Sequence, residues 1–344
     1  MFMEFGFREG GSEAEAFREG FALADAAEAW GLDSAWLSEF HFTPDRSVLS
    51  SPIVTAGALA ARTKRMRIGI AVYVLPLANP LRVAEEVATL DQISGGRFEF
   101  GIGRSGFVNS YNSYAIPYAE SQERFDEALA ILRQAWRGER FSHEGRHYRV
   151  DGATVVPQPV QRPHPPMRMA ATSAQTFEKV AAEGLPIFVG LRGDDLSVLA
   201  DSLARYRRAW RQAGHDGEAS AYLRVPVYVA ETEAAALDEP RACISYYFER
   251  QARLVAEQGV ERPSGNAPRE KMAEGLAALG YDEILASRVA FGTPGQVVDR
   301  LSHWQDALGI DGIVMELNAG GLLSEAQVLN SLRLITAEVM PAFK

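Results

Sequence analysis

The sequence is poor in the residues that build covalent or metal cross-links. Cys243 is the only cysteine among 344 residues, so no disulfide forms within the chain and no thiolate metal cluster is available. Histidine is scarce as well, with six residues at 41, 143, 147, 164, 215 and 303. His143 and His147 stand four apart, as on a zinc-binding helix, but Gly145 between them favours a loop or hairpin, and no metal site is expected. Positive charge is outnumbered: 35 Lys and Arg against 45 Asp and Glu give a net charge of -10. That balance disfavours nucleic acid or an anionic membrane surface as the main partner. No segment approaches the ~20 apolar residues of a membrane span, and Met-Phe-Met-Glu-Phe-Gly at the start lacks the basic and apolar regions of an export signal. The expected location is cytoplasmic. Internal repeats and low-complexity tracts are absent too.

What is present suits a large folded unit. Hydrophobic residues make up 47% of the chain, ample for a sizeable core, and no shift in composition divides 1–344 into domains. Short apolar runs alternate with longer amphipathic ones. The pattern predicts strands at 2–7, 34–38, 67–72, 98–101, 167–171, 186–189, 222–230 and 312–317. Helices are predicted at 12–30, 51–61, 79–93, 120–136, 173–183, 195–213 and 324–339. Ser12 with Glu15 reads as a capping box, Pro52 as a first-turn proline, and Leu81, Ala84, Val87, Ala88 and Leu90 as one apolar stripe. Strands separated by helices imply parallel crossovers. About eight such units fit a closed α/β barrel, the (β/α)8 or TIM-barrel fold, with an open doubly wound sheet as the alternative. Two stretches interrupt the rhythm. Residues 137–166 read as a small hairpin insertion and a proline-rich crossing. Residues 231–287 read as extra helices with a loop near 261–268, either a lid over the barrel mouth or a dimer contact.

In a parallel α/β protein, ligands bind at the carboxyl ends of the strands. Arg104 falls just past one such end, in Asp91-Gln-Ile-Ser-Gly-Gly-Arg-Phe-Glu-Phe-Gly-Ile-Gly-Arg104, where a guanidinium can clamp a phosphate or pair with a neighbouring acid. Gly101, Gly103 and Gly106 match a dinucleotide-binding spacing. The loop-like sequel to about residue 120 does not open a helix, so the glycines are better read as letting a ligand or another backbone approach closely. Thr172, Ser173 and Thr176 open a helix after another strand and can form an anion site, or simply cap that helix. Ser38-Glu-Phe-His-Phe-Thr43 places Glu39, Phe40, His41 and Phe42 after the second strand, a titrating pair between aromatic rings.

Taken together, Gly31–Phe42, Val74–Glu86, Leu90–Arg104, Gly292-Thr-Pro294 and the C-terminal Val-Met-Pro-Ala-Phe-Lys resemble the bacterial luciferase-like, flavin-dependent monooxygenase family. The resemblance spans nearly the whole chain. It implies a luciferase-type TIM barrel, usually dimeric and here expected as a homodimer. It also implies reduced FMN supplied by a separate flavin reductase, O2 as co-substrate and a small hydrophobic substrate. Arg104, Thr172, Ser173 and Thr176 match positions that bind the flavin phosphate. Ala71 and Val72 match a non-proline cis peptide against the flavin ring, and Gly103 stands where the luciferase α-chain has a reactive cysteine. Glu39 and His41 are the candidate catalytic pair, with Phe40, Phe42, Tyr73, Phe107 and Tyr111 as an apolar wall. The family pattern Glu-His-His-Phe becomes Glu39-Phe40-His41-Phe42, so Phe40 replaces the first histidine and His41 matches the second; Thr172 replaces a glutamate. These departures speak against light emission from aldehydes. Two other readings stay open: an F420-dependent hydride-transfer oxidoreductase, with Arg46, Arg104 and Arg192 as cations for the cofactor's tail, and a non-catalytic flavin-binding paralogue.

Overall fold

The computed structural model describes residues 1–6, 8, 10–171, 174–191, 195–257 and 267–344. Its strands are β1 (Phe2–Met3), β2 (Ser34–Leu37), β3 (Arg67–Val74), β4 (Phe98–Gly103), β5 (Phe141–Glu144), β6 (Arg149–Ala153), β7 (Met167–Ala170), β8 (Ile187–Gly190), β9 (Ala221–Val229), β10 (Ala290–Gly292) and β11 (Gly312–Glu316). Strands β1, β2, β3, β4, β7, β8, β9 and β11 belong to one parallel sheet that closes on itself, a TIM barrel; β5 and β6 pair separately. These eight are the eight strands predicted from the sequence. The first is shorter than expected, and β10, which runs parallel to the end of β9, was not predicted. By contacts the chain forms two compact units, one of 33–170 and one of 1–32 with 171–344.

Within the 33–170 unit, β2, β3, β4 and β7 pair in parallel, with Leu37 opposite Ile70, Val74 opposite Gly103, and Ile102 opposite Met169. The helix Pro80–Ser94 buries Val83, Ala84, Val87, Ala88 and Leu90, so the apolar stripe is as read except that Val83 replaces Leu81 as its buried start. Asn79 caps it, its carboxamide oxygen accepting from the N–H groups of Leu81 and Arg82. Gly95 and Gly96 both adopt positive φ (63° and 81°), which ends the helix and turns the chain into β4. That turn aims Arg97 at the end of the helix Pro52–Arg62. Its guanidinium donates to the carbonyls of Ala60 (2.9 Å), Thr63 (3.2 Å), Met66 (2.9 Å) and Ser94 (2.8 Å), and to Thr63 Oγ1 (2.8 Å). The Gly-Gly-Arg run is therefore a structural clamp that sets where β4 begins. Asp91, fully buried, accepts from the backbone N–H and side-chain amide of Gln161 and so fastens the proline-rich crossing.

The hairpin β5–β6 is as predicted, and its Gly145 turn lies against Glu127 of the helix Ser121–Ala135. A Cβ on Gly145 would stand 1.8 Å from Glu127 Oε1. The carboxylate accepts from the backbone N–H groups of His147 (3.0 Å) and Tyr148 (2.8 Å) and faces His143 Nε2 at 3.1 Å. Burial pushes the Glu127 carboxyl up, but the two backbone donors and His143 outweigh it and hold the group below its ordinary value. In the other unit, the predicted Ser12–Glu15 capping box is present at the start of Glu13–Ala29. The insertion read at 231–287 contains the helices Glu233–Asp238, Arg241–Glu257, Ala267–Ala277 and Tyr281–Ser287. They carry their own apolar cluster around Ile244, Tyr247, Phe248, Leu276 and Ile284. Of the loop read there, residues 261–266 lie outside the described residues. The helix Pro294–Leu308 was not predicted. The last predicted helix ends its α-helical part at Leu334 and continues as a π-helical turn to Val339.

Two outcomes follow. Arg97→Ala should lower the unfolding free energy by about 3 kcal/mol in urea titration, because several carbonyls lose a charged donor at once, and Arg97→Lys should recover only part of it. Because Glu127 titrates below the ordinary glutamate value of 4.5, its stabilisation is complete above that value and is lost as pH falls through and below it. Glu127→Gln should therefore flatten the acid limb of a plot of Tm against pH.

Candidate active site

The carboxyl ends of β2, β3 and β4, all in the 33–170 unit, hold most of the predicted site residues. After β2 comes Glu39, whose side chain is 6% exposed. Its Oε2 accepts from the backbone N–H of Val74 at 2.9 Å, and its Oε1 lies 2.7 Å from His41 Nε2. The carboxylate is thus buried with a donor on each oxygen, which is what makes its burial tolerable. His41 Nδ1 lies 3.2 Å from the hydroxyl of Tyr114, whose ring meets the imidazole edge-on. Phe42 adopts φ +56°, is 53% exposed, and packs on Tyr114 at 5.5 Å between centroids. Phe40 is buried. Its ring meets Phe107 edge-on at 5.7 Å and carries the buried Arg46 guanidinium 3.9 Å from its centroid.

At the end of β3 the Ala71–Val72 peptide is cis, as the family resemblance implied, and the β3–β4 register shifts between Ile70 and Tyr73. Gly103 lies against Val72: a Cβ there would stand 2.3 Å from Val72 Cγ2 and 3.2 Å from its Cβ. The glycine is required by close approach, but what approaches is the Val72 side chain and not the ligand or backbone the sequence suggested. Tyr73 packs on Phe100, and burial, reinforced by the Glu39 carboxylate, raises its pKa far enough to keep the phenol protonated.

Beyond β4, Arg104 donates from Nη1 to Ser121 Oγ at 3.1 Å and lies near the Tyr118 ring. Tyr111 is fully buried; its hydroxyl donates to the Arg104 carbonyl and its ring meets Tyr118 edge-on at 5.0 Å. Tyr111 therefore buttresses the arginine's loop. Ser105 follows with φ +57°. The stretch read as a loop here contains a short helix, Val108–Ser113, because Val108 and Tyr111 are buried three apart on one side of it. Among the described residues, this hydrogen bond to Ser121 engages one of the five N–H donors of the guanidinium, leaving it fit to hold an anionic group. Thr172 and Ser173 lie outside the described residues, as does Arg192. Thr176 is partly buried in the helix Ala174–Ala182 of the other unit. No group of three or more His, Cys, Asp or Glu able to hold a metal occurs among the described residues, and no described helix is long and apolar enough to cross a membrane.

The family model for luciferase-like monooxygenases matches residues 1–311. The chain belongs to the luciferase-like monooxygenase family. It is 27% identical over 331 residues to an alkanal monooxygenase alpha chain from a Kryptophanaron alfredi symbiont, covering 94% of this chain and 91% of that one. It is 28% identical over 310 residues to an F420-dependent glucose-6-phosphate dehydrogenase from Kineococcus radiotolerans, covering 83% and 90%. Among solved structures, the oxygenating constituent of the 3,6-diketocamphane monooxygenase of Pseudomonas putida, a type II Baeyer-Villiger enzyme in complex with FMN, superposes with a TM-score of 0.85. That match has 21% identity and covers 99% of this chain and 97% of that one. The family is one of oxidoreductases, with flavin-dependent and F420-dependent members.

Glu39, His41, Gly103 and Arg104, singled out from the sequence, lie at these strand ends; Tyr114 beside His41 and Ser121 beside Arg104 were not singled out. Tyr114 stands 73 positions from His41, and its one signal was a run of tyrosines after the fourth strand. Gly103→Ala should destabilise the protein by about 1–3 kcal/mol in thermal unfolding, as overpacking does. Val72→Ala in the same chain should restore part of that loss, since it removes Val72 Cγ2, the atom nearest the new methyl, and leaves the Cβ at 3.2 Å.

Proposed function

We propose that this protein uses reduced FMN from a separate flavin reductase, together with O2, to oxygenate a small hydrophobic organic substrate, and that it does so as a cytoplasmic homodimer. The observation that carries the reading is the side-by-side arrangement of Gly103 against Val72 and the Arg104 guanidinium at adjoining strand ends. The Val72 side chain, packed where a Cβ of Gly103 would stand, joins the two strand ends into one surface against which a flat ring can lie, and a guanidinium one residue on accepts a phosphate. Reduced flavin, when bound, supplies the electrons with which O2 is activated. The protein's part is to hold and to exclude. Arg104 would bind the phosphate. Ala71, Val72 and Gly103 would face the ring. Phe40, Phe42, Tyr73 and Phe107 would keep water from it, with Tyr111 supporting the Arg104 loop. Glu39 and His41 would hold the proton that the reaction must place. The FMN-bound structural relative, named as an oxygenating constituent, supports both the cofactor and a separate reductase.

An F420-dependent hydride transfer is the second reading, supported by the F420-dependent relative. Its polyanionic tail calls for several cations. Of the two arginines read for it within this unit, Arg46 is buried against Phe40, which leaves Arg104. Anaerobic titration with reduced FMN and with F420 separates the two. We expect reduced FMN to bind, and Arg104→Ala to weaken it by roughly tenfold to a hundredfold, the size of a lost charge-assisted contact. His41→Ala should lower turnover far more than stability. A wild-type protein with no affinity for reduced FMN would sink the proposal.

A further inference from the structure

Position 40 is a phenylalanine, so it can neither hold nor release a proton, and the guanidinium stacked on it does not give one up. Proton handling at this rim must run through other groups. The geometry around His41 offers them in a line. Glu39 Oε2 takes the Val74 N–H, Glu39 Oε1 lies 2.7 Å from His41 Nε2, and His41 Nδ1 lies 3.2 Å from the Tyr114 hydroxyl. A carboxylate only accepts, so Nε2 carries a hydrogen. In the neutral ring Nδ1 then accepts from the Tyr114 hydroxyl; in the charged ring Nδ1–H donates to the same oxygen. Both states of the imidazole are therefore satisfied by turning the Tyr114 hydroxyl hydrogen, with no heavy atom moving. Exposure falls along the line: the Tyr114 residue is 45% exposed, the His41 side chain 11% and the Glu39 side chain 6%.

Resting on the function proposed above, we propose that Tyr114 is a positioning residue that completes a proton path from solvent to Glu39 through His41. The step balances as follows. Nε2–H of His41 passes its proton to Glu39 Oε1, and Nδ1 takes the hydroxyl proton of Tyr114. The phenolate is reprotonated by hydronium at the surface. The net change is one proton moved from solvent to the buried carboxyl, with the imidazole left as the other tautomer. The carboxyl then stands hydrogen-bonded to the backbone of Val74, next to Tyr73 and two residues from Val72. The reverse sequence removes a proton from the site. An aromatic ring alone at 114 would serve packing against His41 and Phe42 equally well; only the hydroxyl serves the path.

The test uses the full-length protein and Tyr114→Phe, which keeps the ring and removes the oxygen. Nitrogen-15 NMR of the imidazoles, assigned with His41→Asn, needs no flavin. Wild type should show His41 as the Nε2–H tautomer with a hydrogen-bonded Nδ1; Tyr114→Phe should keep that tautomer, which Glu39 sets, and move the Nδ1 resonance downfield to that of an imine nitrogen without a donor. With reductase, reduced FMN and O2, Tyr114→Phe should keep its affinity for reduced FMN. Its kcat should fall roughly tenfold, the low end for a lost acid–base contribution, with a larger solvent deuterium effect on kcat than wild type. A wild-type His41 in the Nδ1–H form overturns the proposal. So does Tyr114→Phe with wild-type kcat and isotope effect. Failure of the wild type to bind reduced FMN sinks the function and the path's role in it together. The flavin-free tautomer measurement tells that result apart from a failure of the path itself.

Discussion

The site depends on a missing atom. Gly103 has no Cβ, and that space is filled by the Val72 side chain coming across from β3. The two strands could not otherwise end side by side at this spacing, because protein interiors have no slack for a methyl group. The close approach fixes the end of β4, and Arg104 follows directly. Its position is then held from outside: Tyr111 takes the Arg104 carbonyl and Ser121 takes a guanidinium N–H. The start of the same strand is held just as firmly, by Arg97 reaching the carbonyls of Ala60, Thr63 and Met66 at and just beyond the end of the helix Pro52–Arg62. A strand pinned at both ends carries its terminal side chains on a rigid element, which a binding site needs.

Strain and burial concentrate where the chemistry is expected. Among the described residues, Phe5, Phe42, Ser105 and Ala115 are the non-glycine residues at positive φ. Two of these four follow the site strands directly, after β2 and after β4. Side chains other than glycine disfavour that region, and it persists where surrounding contacts enforce it. For Phe42 those contacts are His41 and Tyr114. Glu39 shows the same economy in electrostatic form, since a buried carboxylate survives only when each oxygen finds a donor. One donor is a side chain able to exchange a proton and the other is a backbone N–H that cannot. The carboxylate is anchored by the Val74 backbone on one side and faces the His41 imidazole on the other.

The ring strands were legible because they are short apolar runs, some closed by a serine or a glycine as at Ser38, Gly103 and Gly190, and because parallel crossovers need helices between them. What escaped had weak or competing signals. The strand Ala290–Gly292 has three residues, too few for any period. The helix after it does announce itself through Thr293, Pro294 and Gln296 as cap, first-turn proline and capping-box partner, and through Gly309 at its end. Val108–Ser113 is built from Asn, Ser and Tyr, poor helix formers, and exists because burying Val108 and Tyr111 overrides local preference. The site divided along the same line. Glu39 and His41 are two positions apart and visible together; Tyr114 reaches them from a different crossover, a pairing that only the fold can make.

The pairing of Phe40 with Arg46 explains why that division of labour matters. A buried guanidinium is expensive unless something negative faces it, and the π face of Phe40 at 3.9 Å offers partial negative charge without a proton. An imidazole in the same place would be pushed toward its neutral form by the adjacent cation, and its titration would be tied to the arginine. With phenylalanine there, the rim near Arg46 holds a fixed charge over a wide pH range. His41 sits against a carboxylate instead. A cation beside an inert ring and an imidazole beside an acid keep the guanidinium and the imidazole on separate partners, where a histidine at 40 would have set a second ionisable ring against the arginine.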